Sequence, residues 1–163
     1  MSNREFFMQR WKSERPVTAK VLRSLPPERI DYKPHEASKS AGEVAWIFPE
    51  ELRGLSDIVE KGEASWESQP APQTLEEIAR AYEEQADRFT RLLDGVDEAK
   101  WESQGKFIYK GRVVFAGPVR EHCWWILFDQ VHHRGQLSTY IRPMGGKVPA
   151  IYGQSGDERA SPQ

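Results

Sequence analysis

The chain has 163 residues, with 23 Lys and Arg against 25 Asp and Glu. That length suits one domain able to bury well over half of its unfolded surface without disulfides or metal, and the near-balanced charge, with no basic stripe interleaved with aromatics, argues against DNA or RNA as a partner. The single cysteine, Cys123, excludes an internal disulfide. No secretory leader and no apolar run near the ~20 residues of a membrane span is legible, so the expected setting is the cytoplasm with no membrane association.

Four segments carry helical spacing. The first is expected from about Asn3 to Leu25, burying Phe6, Phe7, Trp11, Val21 and Leu22, with a kink at Pro16 and a stop at Pro26-Pro27. The second opens at Ser40, where Ser40-Ala41-Gly42-Glu43 has the spacing of a capping box, and runs through Val44, Ile47, Phe48, Leu52, Leu55, Ile58 and Val59 towards Gly62. Pro49 lies inside it and removes the amide that would bond the Ala45 carbonyl, so this helix is expected to bend or break there. The third starts at a further capping box, Thr74-Leu75-Glu76-Glu77, and continues through Tyr82, Ala86, Phe89 and Leu93 to Gly95. A long connection follows, in which Phe107-Ile108-Tyr109 and Val113-Val114-Phe115 flank Lys110-Gly111-Arg112 and suit either a short hairpin or an irregular link. The fourth helix is expected from Pro118 to Arg142, and beyond it a polar tail carries three candidate anchors, Val148, Ile151 and Tyr152. Together these elements predict an all-α, antiparallel four-helix bundle forming one domain over residues 1–158, with residues 159–163 a mobile tail.

The fourth helix holds the chemistry. Val119, Cys123, Ile126, Gln130, His133, Leu137 and Tyr140 alternate by steps of four and three, the inner seam of a packed helix. Asp129 adjoins this seam four residues before His133, so carboxylate and imidazole rise from one face with Cβ atoms about 5–6 Å apart and can reach one divalent ion. The alternative is a buried polar pair in which the acid orients the ring. Gln130, Gln136 and Tyr140 are candidates for the wall of an adjoining pocket. Cys123 reads as a core filler, His132 and His35 as structural residues, and Gly135 as the mark of a close helix contact. His122 stands eleven residues from His133, roughly 16 Å along a helix, too far to share an ion. The apolar and aromatic surplus of this helix, with Trp124, Trp125 and Phe128 off the seam, points to a homodimer.

His132-His133-Arg134-Gly135-Gln136-Leu137, then Tyr140-Ile141-Arg142 and Val148-Pro149-Ala150-Ile151-Tyr152-Gly153, closely resemble the DinB (DinB/YfiT-like) superfamily. Leu25-Pro26-Pro27, Pro34-His35 and Ser40-Ala41-Gly42-Glu43-Val44-Ala45-Trp46 extend the likeness to the second helix. The resemblance implies a four-helix bundle, often dimeric, with a divalent-metal site made by one histidine of the second helix and two ligands a turn apart on the fourth. It also implies, from characterised members, metal-assisted transfer to a small molecule with a thiol cosubstrate. At the position of the second-helix histidine this chain has Ile47, which cannot ligate and becomes a pocket residue instead. Asp129 and His133 remain, implying at most a weakly bound nickel or zinc ion. Glu43 and Glu51, each one turn from Ile47, are possible replacements, but Glu43 suits the capping box and Glu51 a solvated charge beside Glu50. The competing expectation is a non-enzymatic dimeric bundle with a degenerate metal site.

Overall fold

A computed structural model describes residues 1–158 of the chain. Helix α1 spans Asn3–Arg23, α2 Ala41–Lys61, strand β1 Glu63–Trp66, α3 Leu75–Gly95, the short α4 Glu98–Glu102, β2 Gln104–Tyr109, β3 Arg112–Pro118 and α5 Val119–Ile141. The caps follow from the sequence. Ser2 and Ser40 each form a full capping box with the glutamate three residues on, Thr74 accepts from the Glu77 amide, and Gly62 closes α2 in the left-handed region at φ 81°.

The four long helices form a ring of contacts, α1 and α2 each packing on both α3 and α5. Phe7, Phe48, Tyr82, Phe89, Trp101, Leu137 and their neighbours fill the centre. Edge-to-face pairs such as Trp11 on Phe89 and Phe48 on Tyr82 fix the rings.

A purely helical fold is nonetheless the wrong expectation. The segment between α3 and α5 is a β2–β3 hairpin turning at Lys110-Gly111, both with positive φ, and β1 adds to β2 in parallel to give a sheet of order β1-β2-β3. β1 escapes sequence reading because Glu63-Ala64-Ser65-Trp66 is too short and too mixed to show an alternating pattern, and parallel pairing leaves no local turn to announce it.

Several smaller expectations also change. α2 continues through Pro49 without a break. Pro49 is itself buried, so packing of the surrounding core offsets the lost hydrogen bond. Phe6, expected in the core, is 41% exposed, one step off the face that carries Phe7 and Trp11. Gly135 makes no close helix contact: a Cβ there would meet nothing within 4 Å. The close glycine contacts lie elsewhere, where Gly105 presses on Ile58 and His122 beneath the sheet. The expected tail at residues 159–163 falls outside the described residues. No helix among the described residues is long and apolar enough to cross a membrane.

The tail anchors act as a set. Val148 and Ile151 pack on the core, while the Tyr152 ring is exposed and its hydroxyl meets Arg134 at 2.6 Å and Glu14 at 2.9 Å. The two separated stretches that carry the family likeness therefore touch, since Arg134 belongs to one and Tyr152 to the other.

Candidate functional site

The inner face of α2 is set by Ala41, Val44, Phe48, Glu51, Leu55 and Ile58, all buried and separated by alternating steps of three and four. Glu51 is the polar member of that series. On α5 the corresponding face carries Gln130 and His133, with Asp129 beside them. The packing of α2 on α5 brings Glu51, Asp129 and His133 together, each offering a ligand atom, all within 4.8 Å of one another. His133 Nε2 stands 3.5 Å from Asp129 Oδ2.

Glu51 is thus not the solvated charge expected from its place beside Glu50. Both acids are buried, at 4% and 3% exposure. The legible signal was register: Glu51 falls four residues after Ile47 and three after Phe48, on the seam itself. Glu43, by contrast, is the capping-box acid, bonded to Ser40.

Electrostatics within the triad are strongly coupled. Burial, reinforced by the Asp129 carboxylate, pushes the Glu51 carboxyl well above the usual range, while the Gln130 amide opposes this. Hydrogen bonding to His133 and then to Glu51 holds Asp129 well below its ordinary value. The Asp129 carboxylate in turn raises His133. Without a metal the three groups pull on one another, Glu51 towards its neutral form, Asp129 towards its anion and His133 towards its cation.

Behind the triad a hydrogen-bonded series orients the imidazole. His133 Nδ1 lies 3.0 Å from Gln136 Oε1, Gln136 Nε2 donates to Tyr140 Oη at 3.2 Å, and Tyr140 Oη donates to the Lys39 carbonyl at 3.4 Å. This polarity makes Nδ1 the donor and turns the Nε2 lone pair of the neutral ring towards the carboxylates, the outer-sphere arrangement usual for a ligating histidine. Gln136 and Tyr140 therefore back His133, and Gln130 donates to the Phe48 carbonyl at 3.2 Å. Ile47 lines the cleft itself.

The cleft measures about 580 Å³. Glu51 and Asp129 sit in its wall, Trp66, Phe107 and Tyr109 enter from the sheet, and Trp125 from α5. The sheet, whose β2–β3 hairpin was one of the two sequence expectations and whose β1 was not foreseen, thus builds one side of the site. Cys123 is fully buried, and burial pushes its thiol far above the ordinary range, so it is no nucleophile. His122 is buried under the hairpin with its ring centroid 4.6 Å from that of Phe115, and burial lowers its pKa. His132 is exposed, and His35 Nδ1 accepts from the Ala37 amide in its loop.

The donor set fits a divalent ion. Two carboxylates and one imidazole are an ordinary ligand combination, and Glu51 Oε2 is buried without any hydrogen-bond partner, an orphan that a cation would satisfy.

Comparison with known proteins agrees with this architecture. The DinB family model matches residues 1–162, and the chain belongs to that family. It is 26% identical over 160 residues to the uncharacterized protein YrdA of Bacillus subtilis, covering 96% of this chain and 92% of that one. A crystal structure of a DinB-like protein from Bacillus cereus superposes with a TM-score of 0.76 at 24% identity, covering 91% of this chain and 97% of that one. For the DinB-like protein YjoA of Bacillus subtilis the TM-score is 0.68 at 23% identity, with the same coverage. These two likenesses bear on the fold alone.

Proposed function

We propose that the chain is a metal-assisted transferase that holds one divalent ion at Glu51, Asp129 and His133 and acts on a small molecule in the adjoining cleft with a thiol cosubstrate. The observation that carries the metal site is Glu51 Oε2, buried, unpartnered and grouped with two other ligand-bearing side chains. The choice of a thiol follows the family resemblance. Glu51 supplies the third ligand that Ile47 cannot, from one turn further along the same helix. Two oxygens and one nitrogen suit manganese or zinc as well as nickel. A bound divalent ion would lower the pKa of a coordinated thiol and so supply a thiolate at neutral pH. Gln136 fixes the His133 tautomer, Asp129 and Glu51 contribute the negative charge, and the aromatic side of the cleft excludes water from the small molecule. The same reading takes the chain as a homodimer, supported by exposed Trp125, Phe128, Val113 and Val114 on α5 and the hairpin.

The test is elemental analysis and titration calorimetry on protein purified without a histidine tag, followed by turnover assays with a panel of low-molecular-weight thiols and electrophiles. Glu51→Gln, Asp129→Asn and His133→Ala should each weaken zinc and manganese binding at least tenfold and remove metal-dependent turnover. Tight metal binding that survives all three substitutions refutes the site. Sedimentation at micromolar concentration tests the dimer, and a monomer rejects it.

A second reading has its own support. Asp129 and His133 pair with each other without a cation, Oδ2 to Nε2 at 3.5 Å, which suits a non-enzymatic bundle with a degenerate site. Absence of metal binding, with the three substitutions changing only thermal stability, selects this reading.

A further inference from the structure

Between β1 and the N-cap of α3 the chain runs beside the cleft as residues 67–73, and Ser68, Gln69, Pro70 and Ala71 line it. Among the described residues, no backbone–backbone hydrogen bond holds this segment, and Pro70 and Pro72 have no amide to offer one. It is held by side chains. Trp46 Nε1 donates to the Gln69 carbonyl at 3.0 Å, and Glu50 Oε2 accepts from the Gln69 amide at 3.3 Å. Arg53 pairs with Glu50 Oε1 at 2.6 Å and reaches the Glu67 carbonyl at 3.5 Å. Trp46, Glu50 and Arg53 recur at steps of four and three, so a single outer stripe of α2 makes the whole attachment.

The other side of this attachment is not filled either. A hollow of about 170 Å³ lies between Trp46, Pro49, Arg53 and Gln69 on one side and Ala81 and Gln85 of α3 on the other. Gln69, the residue the clasp holds, thus has open space behind it as well as on the cleft side, unlike a wall packed into the core. Glu50 is a buried acid that the metal site does not use, and its two oxygens are spent on Arg53 and on this segment.

We infer that residues 67–71 form a strap along one wall of the cleft, clasped by Trp46 and Glu50, whose release widens the way for a small molecule to the buried Glu51 beside the half-exposed Asp129. Trp46 and Glu50 are positioning residues: they act on the strap. What is admitted rests on the metal-site reading, whereas the strap does not.

The experiment uses the metal-free protein in excess chelator. Carbodiimide with glycine ethyl ester labels carboxyl groups that solvent reaches, and peptide mass spectrometry follows Glu51 in the cleft, with exposed Glu76 as reference. Trp46→Phe keeps an aromatic ring but loses the indole N–H and its hydrogen bond, and the double variant Trp46→Phe/Glu50→Gln weakens both clasps, the Glu50→Gln change being isosteric. The double variant should label Glu51 at least tenfold faster, with Glu76 unchanged. Hydrogen exchange should accelerate at the Gln69 amide, the one strap amide the clasp bonds, but not at the Leu52 and Leu55 amides of α2. Unchanged Glu51 labelling despite faster exchange at Gln69 overturns the gate, and unchanged Gln69 exchange in the double variant overturns the clasp. Faster exchange at Leu52 and Leu55 would mark general loosening, in which case the single Trp46→Phe variant must reproduce the local effect or the inference fails. Zinc titration of the same proteins is scored separately, so a chain that binds no metal can still show the strap.

Discussion

Replacing Glu14 with leucine tests the buried charge of Arg134. Arg134 is 1% exposed, and its guanidinium meets Glu14 Oε2 at 2.6 Å, Tyr152 Oη at 2.6 Å, Thr18 Oγ1 at 3.2 Å and the Glu14 carbonyl at 3.3 Å. Glu14→Leu removes the one counter-charge and keeps three neutral acceptors, which cannot offset a buried cation. Breaking a buried pair in this way costs about 3–5 kcal/mol, and the retained acceptors place the value near 3. In a chain of this size 1 kcal/mol moves Tm by roughly 2–4 °C, so calorimetry should show a fall of roughly 6–12 °C. Arg134→Met leaves Glu14 with access to water and should cost less, about 1–3 kcal/mol. The double variant removes both charges and should recover part of the loss. A Glu14→Leu shift under about 3 °C, or one smaller than that of Arg134→Met, refutes the assignment of Arg134 as an internally paired cation.

The metal-free Glu51→Gln protein should melt higher than the parent at alkaline pH. The parent's Glu51 pKa is raised by burial and by Asp129, so its contribution to stability is fully present below the ordinary glutamate range and is lost as pH rises through the folded value. His133, also raised, loses its contribution in the same direction, whereas Asp129, lowered, loses its own only as pH falls into acid. Melting curves in chelator from pH 5 to 9 check this, and parallel profiles for the two proteins reject it. Gly135→Ala should stabilise by about 1 kcal/mol in urea titration, because the site is helical, exposed and open. Gly105→Ala should destabilise by about 1–3 kcal/mol, since its Cβ would lie 2.6 Å from Ile58 Cγ2 and 3.3 Å from His122.

The long helices were legible because their caps and apolar spacing are local: the Ser40–Glu43 box and the seam from Val119 to Tyr140 reappear as read, and Thr74 caps α3 through the Glu77 amide without completing the expected box. The candidate site was half legible. Asp129 and His133 lie within one turn and declare their own proximity, but Glu51 reads as a surface acid until its register with Val44, Phe48 and Leu55 is weighed above its charge. The hairpin side of the cleft was legible as one of two alternatives, whereas β1 was hidden for another reason: Trp66 and Phe107 meet only through parallel pairing across the intervening α3 and α4, with ring centroids 5.9 Å apart. Arg134 showed the same limit, since nothing near it in sequence announces Glu14 as its partner.

The position of α5 after all the other helices has a consequence for synthesis. α1, α2 and α3 leave the ribosome before α5 exists, so Glu51 then has neither Asp129 nor His133 beside it and behaves as an ordinary carboxylate in water. Docking of α5 strips that solvent, brings the second acid and the imidazole, and covers the Trp124 side of Phe7 as well. The raised pKa of Glu51 therefore depends on the last long helix to be made, and a nascent chain stalled before α5 would hold the acid without its partners.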